Sequence, residues 1–541
     1  MTSNIDFEAY SAAGFIIAPD GSFSRLPNAT RYGLSIVGAA VYAEHPSTEV
    51  LSLSYDLADG LGCRVWLPGL PAPYDLFDYA ESGGLIHAWN SGFEWLIWDR
   101  VCRKRYGWPE LPLDQMRCTM SRASAFSLPG ALEKASLVLG KAGKNKDGDR
   151  LIKKFSVPRK PTKNNPSRRI LPSDDLEDSQ RFIDYNIQDV KAETEMGNAV
   201  PELSDFEMQV WLTDQRINMR GCAIDLETVD AGISIIQQLE TRYNARLVEI
   251  TGGKVTTAFE TAKLAEWLGI SSVDKPSVET ELDRPDLPSD HREVLEIRQK
   301  LSKTSTKKLF AFRNTVCSDG RIRGLFVYSG AGRTRRWAGR LTQPHNSPKA
   351  AGEVKQCPRC LQYCGDHHTR CPNGCANDLS EPREWNPEAM EQAIQLVRQG
   401  NLDLLGGIFG DVLDTISGCI RGLYVAAPGH RLICSDYSAI EAVVLAELAG
   451  EKWRQEVFRT HGRIYEMSAE KITGVPMTEE RHPHRALGKL AELSGGYQGG
   501  VGAWKRFGAD KFFPDDAAML EAVKKWRRAS PAIAGGYNHG G

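Results

Sequence analysis

Two acidic residues spaced two apart open this 541-residue chain. Asp6 and Glu8 lie in a strand-like start, where positions i and i+2 face the same way. Two carboxylates then point into one space, which is costly unless cations neutralise them. Much later, the stretch 181–190 has helical periodicity, and Tyr185 and Asp189, four apart, share one helix face. Between them, the stretch from His87 through Asn90 and Phe93 to Glu94 reads as a strand over 84–88 and then a helix begun near Asn90 or Ser91. Glu94 falls in that helix's first or second turn. Farther on, Cys357-Pro-Arg-Cys360 and Cys371-Pro-Asn-Gly-Cys375 form two knuckles that suit tetrahedral Zn²⁺ held by four thiolates. Cys364, His367 and His368 lie between them as alternative ligands. Four thiolates leave no open coordination position, so such a centre is structural; the other reading is a loop of reduced thiols.

The last third carries a second set. Leu432 to Ser435 reads as a short apolar strand, followed by an acidic turn at Asp436-Tyr437 and an amphipathic helix that includes Glu441. Read alone, Asp436 is equally a carboxylate capping a helix N-terminus. Arg485, Lys489, Leu493 and Tyr497 recur every four residues and so form one face of a helix. Two cations one turn apart can clamp a triphosphate, with Leu493 and Tyr497 offering apolar or stacking surface to a base. The Gly- and Arg-rich stretch 329–340, which contains Arg336, is an anion-binding segment. Gln343 and Asn346 just beyond it can donate to minor-groove acceptors, which vary little with sequence.

The elements that must position these residues are read from periodicity and turn signals. Further strands are expected over 35–42, 50–55 and 64–67, and a helix over 127–135. From 204 to 316 the pattern is mostly helical. Ser204-Asp205-Phe206-Glu207 starts a helix that ends at Arg220-Gly221, and longer helices follow over 226–250, 258–268 and 291–316. Lys300, Lys303, Lys307 and Lys308 either touch phosphate or line a solvated face.

Length allows three or four domains. The net charge is only −2, but 141–170 holds eleven Lys or Arg against two Asp. That run is either a solvated loop or a phosphate grip, which would make binding salt-dependent. No apolar run is long enough to span a bilayer. The N-terminus lacks the basic start and apolar core of a signal peptide. Twelve cysteines, five of them within 357–375, argue for free thiols and a metal site in an intracellular chain, not for disulfides.

The ordered set Asp-x-Glu, Asn-x-x-Phe-acid and Tyr-x-x-x-Asp resembles the DEDD 3′–5′ exonucleases that carry Tyr in the last motif. The resemblance implies that Asp6, Glu8, Glu94 and Asp189 hold two Mg²⁺ (or Mn²⁺) ions, with Tyr185 orienting the attacking water. Glu94 stands where Asp is usual. Asp436-Tyr437-Ser438-Ala439-Ile440-Glu441 resembles the first palm motif of family A DNA polymerases of phage type. It implies that Asp436 binds a catalytic metal, that the backbone at Tyr437 seats the triphosphate, and that Glu441 excludes ribose. Arg485, Lys489 and Tyr497 match the spacing of that family's fingers helix, with Leu493 where many members have an aromatic residue. The segment Thr334-Arg335-Arg336, then Gln343 and Asn346, resembles the family's primer–template lining, with Arg335 in place of the usual Gly.

The expected architecture is an α/β ribonuclease-H-like exonuclease domain over 1–203. A helical thumb over 204–316 and an incomplete α+β palm and fingers over 317–541 follow, with a zinc-ribbon insertion over 350–380. The expected partners are primer–template DNA and dNTPs, in the cytoplasm of a bacterium or of a phage's host, with no membrane. His-Asp-Glu, the family's second palm motif, does not occur. After Tyr497 the only acids are Asp510, Asp515, Asp516 and Glu521. This predicts a truncated, split or interrupted polymerase, with a C-terminal polypeptide completing the palm or with exonuclease activity alone.

Overall fold

A computed structural model describes residues 3–535 except 20–21, 142–146, 164, 304–306, 333, 377 and 478–483. Lys144, Lys146 and Arg333 of the basic and Arg-rich stretches therefore lie outside the described residues. The chain divides into two compact units, Met1–Arg431 and Leu432–Gly541.

The first unit begins with a five-stranded mixed sheet in the order Arg64–Trp66, Glu49–Asp56, Ser3–Tyr10, Ile86–Ala88, Met116–Cys118. The central strand runs antiparallel to Glu49–Asp56 and parallel to Ile86–Ala88. In Glu49–Asp56, Val50, Leu53 and Tyr55 supply an apolar side, Ser52 and Ser54 turn to the other, and Leu51, the extra residue at the register shift after Glu8, packs with Tyr10, Phe182 and Tyr185. The apolar side joins a core with Ile5, Phe7, Ile86, Trp98 and Trp108. Across the Ser face lies the 24-residue helix Leu176–Ala199, whose N-cap Asp175 accepts from the Asp178 N–H.

The 35–42 strand expectation is wrong. Those residues belong to the helix Leu34–Glu44, broken at Gly38 (φ 79°, ψ 162°). Its buried Val37, Ala40 and Ala43 recur every three residues, a spacing that suits a helix face and not a strand. The helix expected over 127–135 starts later, at Leu132, and runs to Val138. The helix expected over 291–316 is two, Ser289–Leu301 and Lys307–Thr315. The first ends at Ser302, whose Oγ donates to the Gln299 carbonyl at 3.0 Å. The Asp205–Arg220 helix forms as expected: Ser204 accepts from the Glu207 N–H, and Gly221 (φ 67°) follows its end. Leu226–Thr251 also forms and packs in a core with Ile394, Val397, Leu405 and Ile416.

Within 432–535 every described regular element is a helix, so the strand expected over Leu432 to Ser435 does not form. Leu432 to Ser435 form no strand and are exposed, Ile433 at 80%. A strand needs a neighbour to pair its backbone groups, and among the described residues no strand pairing includes this stretch. The core of this unit gathers Leu487, Leu490, Trp504, Val523 and Trp526. At its centre Arg454 pairs with Glu492, both buried. Glu492 also accepts from Ser468 Oγ at 2.5 Å and Trp526 Nε1 at 3.1 Å, and Arg454 donates to Ser530 Oγ at 2.7 Å. A buried pair bonded to several helices in this way favours one arrangement of them.

Gly488 lets the Arg485–Gly495 helix approach the Ile464–Thr473 helix, because a Cβ there would run into the Tyr465 carbonyl oxygen. Gly488→Ala is expected to lower the opening free energy of the 485–495 amides by about 1–3 kcal/mol, read by native-state hydrogen exchange. Unchanged protection would contradict this packing.

Candidate functional site

The Ser3–Tyr10 strand and the Leu176–Ala199 helix meet at a cluster of acids. Carboxylate oxygens of Asp6, Glu8 and Asp189 all lie within 4.8 Å of one another. The register places Ser54 opposite Asp6 and Ser52 opposite Glu8, and a bulge follows Glu8. Small hydroxyls therefore border the acids where larger side chains would fill the space. Asp189 is buried, while Asp6 and Glu8 are half-buried. Tyr185 is buried beside them and hydrogen-bonds Asp189; burial, then the nearby carboxylates, push its phenol well above its usual range.

Glu94 does not join this set. Its Oε2 accepts from the Phe7 N–H at 2.9 Å. Pairing of the central strand with Ile86–Ala88 is registered only at Ser3 and Asn4, so Glu94 satisfies a backbone donor beyond it. Burial, and then the Asp6 charge, push its carboxyl well above the usual range.

A further acid, Glu193, was missed in the sequence. It sits one turn beyond Asp189, buried, accepting from Thr119 Oγ1 at 3.2 Å and from the Trp89 N–H. Burial and the Asp6 charge push it upward as well. The signal was present: Tyr185, Asp189 and Glu193 continue one four-residue spacing.

Three cations of the basic run are paired with carboxylates. Arg150 donates to both Asp178 oxygens at 2.6 and 2.9 Å, and Lys154 donates to Asp178 at 2.6 Å. These bonds hold the Asp178 carboxyl well below its usual range. Arg169 pairs with Glu49 at 2.6 Å and lies over the Tyr10 ring at 3.9 Å. These cations fasten the Gly148–Phe155 helix and the following loop to the fold.

The four cysteines converge. Sγ distances are 3.4 Å for Cys357–Cys375, 3.7 Å for Cys360–Cys371 and 3.4 Å for Cys371–Cys375. A tetrahedral ion with bonds of about 2.3 Å to sulfur spaces its ligands by roughly 3.8 Å, so the donor set fits one. All four are free of disulfides. The Cys360 N–H, the leading cause, draws the Cys357 thiol down to about 6. Hydrogen bonding to the neighbouring sulfurs drives Cys375 up to about 12. Cys364 is not a member: it is buried in the Leu226–Thr251 core, and burial raises it to about 11. His367 and His368 face each other at 4.1 Å, and His368 Nε2 contacts the Ile408 carbonyl at 3.1 Å.

In the second unit, Asp436 and Tyr437 lie on the exposed stretch before the Ile440–Ala449 helix, which carries Glu441 in its first turn. Arg485 and Lys489 lie on the exposed face of the Arg485–Gly495 helix, and Leu493 is half-buried. The helix stops at Gly495, so Tyr497 is in the following turn, 64% exposed, and not on the expected helix face. Gly496 meets Leu445 of the Ile440–Ala449 helix, where a Cβ would lie 2.9 Å from a Leu445 methyl. Arg485 is held by buried Glu466 at 2.7 Å and lies over the Tyr465 ring at 5.1 Å.

In the first unit, Arg335 takes a left-handed φ of 55°, the conformation its Gly counterpart would adopt freely. Arg336 beside it is exposed. Asn346 Nδ2 donates to Gln343 Oε1 at 3.1 Å, and Lys308 donates to the Asn346 carbonyl at 2.8 Å.

No family model matches the chain. It is 35% identical over 510 residues to the DNA polymerase of Bacillus phage SP02, covering 92% of this chain and 72% of that one. It is 30% identical over 115 residues to DNA polymerase I of Rhizobium leguminosarum, 21% of this chain and 11% of that one. Among solved structures it resembles the POL domain of Pol1 from M. smegmatis, determined with DNA primer-template and dNTP. The TM-score is 0.51 and the identity 14%, over 90% of this chain and 71% of that one, a likeness of fold. The chain belongs to the family A DNA polymerases.

The four-sulfur geometry generates a spectroscopic prediction. Co²⁺ added to metal-stripped protein should give intense thiolate charge-transfer absorption that Cys357→Ser removes and Cys364→Ser leaves in place. Loss of the band in Cys364→Ser would reassign the ligands.

Proposed function

We propose that this polymerase extends a primer on a DNA template and also trims 3′ ends, with separate sites for the two reactions. The observation that carries the trimming reading is the approach of the Asp6, Glu8 and Asp189 oxygens to within 4.8 Å. Such crowding of like charges is stable when divalent cations occupy it. Asp6, Glu8 and Asp189 would hold Mg²⁺ or Mn²⁺, which would activate water and neutralise charge on the leaving oxygen. Tyr185 holds Asp189 in place. Glu94 ties down the Phe7 backbone beside the site, so its part is to position the strand that carries Asp6 and Glu8. The five-stranded sheet with its covering helix is read as ribonuclease-H-like.

For extension, Asp436 is assigned to metal binding and Glu441 to exclusion of ribose. Arg485 and Lys489, exposed one helical turn apart, are assigned to the triphosphate, with Glu466 fixing the Arg485 guanidinium. Tyr437, Leu493 and Tyr497 contact the nucleotide. Arg336, Gln343 and Asn346 touch primer–template. Cys357, Cys360, Cys371 and Cys375 would hold a structural Zn²⁺.

A second reading rests on another surface. Ile440, Val444 and Leu448, four apart on one helix, are 44%, 48% and 83% exposed, and Leu432 and Ile433 precede them at 53% and 80%. An apolar stripe of this kind beside Asp436 suits coverage by a second polypeptide that completes the palm. In that case this chain alone trims but does not extend.

Three outcomes test these assignments on a labelled primer–template with Mg²⁺. Asp6→Ala with Glu8→Ala should abolish trimming and spare DNA binding; full residual trimming would show the acids misassigned. Arg485→Ala or Lys489→Ala should each cost about 1.5–3 kcal/mol of charge-assisted bonding, roughly ten- to a hundredfold in kcat/KM for dNTP. Parent-like incorporation would remove those roles. Trimming by the parent without Asp436-dependent extension would favour the second reading.

A further inference from the structure

The Asp6 carboxylate has a buried neutral partner that is not one of the site acids. Asn186, on the Leu176–Ala199 helix between Tyr185 and Asp189, is fully buried. Its Nδ2 donates to Asp6 Oδ2 at 2.6 Å and to the Asp6 carbonyl at 3.1 Å. Its Oδ1 accepts from Ser54 Oγ at 2.7 Å and from Ser52 Oγ at 3.0 Å.

The chemistry of these partners admits one orientation of the amide. Carboxylate and carbonyl oxygens only accept here, so the NH₂ must face Asp6, and the amide oxygen is left to receive the two hydroxyls. Rotating the amide by half a turn would set oxygen against oxygen at Asp6. The serines are where the sheet register requires them, Ser54 across from Asp6 and Ser52 across from Glu8. An amide also differs from a Lys or Arg in this place. It directs the carboxylate through a hydrogen bond without neutralising it, so the charge remains for a cation.

We propose that Asn186, clamped by Ser52 and Ser54, is a positioning residue that fixes the Asp6 carboxylate for divalent-ion binding, an inference that rests on the trimming reading of this site. Outer partners of metal ligands commonly change ion affinity by about 10–100-fold when removed. Loss of Asn186 leaves the acids themselves in place, so it weakens ion binding more than the reaction at saturating ion.

The test uses the full chain and Mn²⁺ alone as the probe. Bound Mn²⁺ is followed by electron paramagnetic resonance, with Asp6→Ala plus Glu8→Ala defining the baseline from other sites. Asn186→Ala should raise the Mn²⁺ dissociation constant of the Asp6/Glu8-dependent site at least about tenfold. Trimming of a 3′-labelled single strand should then need correspondingly more Mn²⁺ but approach the parent rate at saturation. Ser52→Ala plus Ser54→Ala, which leaves the amide but releases its clamp, should shift affinity in the same direction by less.

Unchanged Mn²⁺ affinity in Asn186→Ala overturns the proposal. If that variant does not fold, the double serine variant decides by the same criterion. A parent that binds Mn²⁺ at Asp6 and Glu8 but does not trim overturns the trimming reading and leaves Asn186 judged by affinity alone. A parent with no Asp6/Glu8-dependent Mn²⁺ overturns both.

Discussion

Carboxylate oxygens gathered within 4.8 Å repel one another, and the N-terminal sheet is arranged around that repulsion. A protein can relieve such crowding by protonation, by a cation or by spreading the acids apart. Here the backbone forbids the last. Asp6 and Glu8 share one face of a strand paired with Glu49–Asp56 on one side and tied at the Phe7 N–H by Glu94 on the other, and Asp189 is fixed by a long helix lying across it. Surrounding groups hold the geometry without cancelling the charge: an asparagine amide on Asp6, a phenol on Asp189, and a glutamate that occupies the Phe7 N–H. Cations recruited elsewhere in the basic run are paired away from the cluster, at Asp178 and Glu49. On the proposed reading, the space among the three acids is left for an ion from solution.

The second unit solves a different problem, that of presenting positive charge from a well-packed helix. The inner face of Arg485–Gly495 carries Gly488 against a neighbouring backbone and Glu492 in a buried network with Arg454, Ser468 and Trp526. Its outer face carries Arg485 and Lys489. Exposed cations and buried structural charge therefore occupy opposite sides of one helix, and Glu466 anchors Arg485 without burying it. The four-sulfur centre belongs to the other unit, where its flanking Val354, Tyr363 and Cys364 pack into the core of the long helices.

The two-residue spacing of Asp6 and Glu8 and the four-residue spacing of Tyr185 and Asp189 were legible because each periodicity maps directly onto one face of an element. The cysteine knuckles were legible for a similar reason, since four ligands in two short turns need little knowledge of the rest. Asn186 was not, because its meaning comes from two serines more than 130 residues earlier in the chain. Glu94 was placed in the right neighbourhood, but its backbone partner depends on where strand pairing stops. The stretch 35–42 was misread because Ile, Val and Tyr favour strands locally, while the three-residue spacing of its buried side chains decided for a helix. At Leu432 to Ser435 the composition suited a strand, but pairing is a property of two segments and composition of one.

Crystals of the full chain soaked in Mn²⁺ would test the central claim most directly, through anomalous difference density. The account predicts density in contact with the Asp6, Glu8 and Asp189 carboxylates, with Asn186 still on Asp6. Density elsewhere in the chain, with none at these three acids, would contradict it.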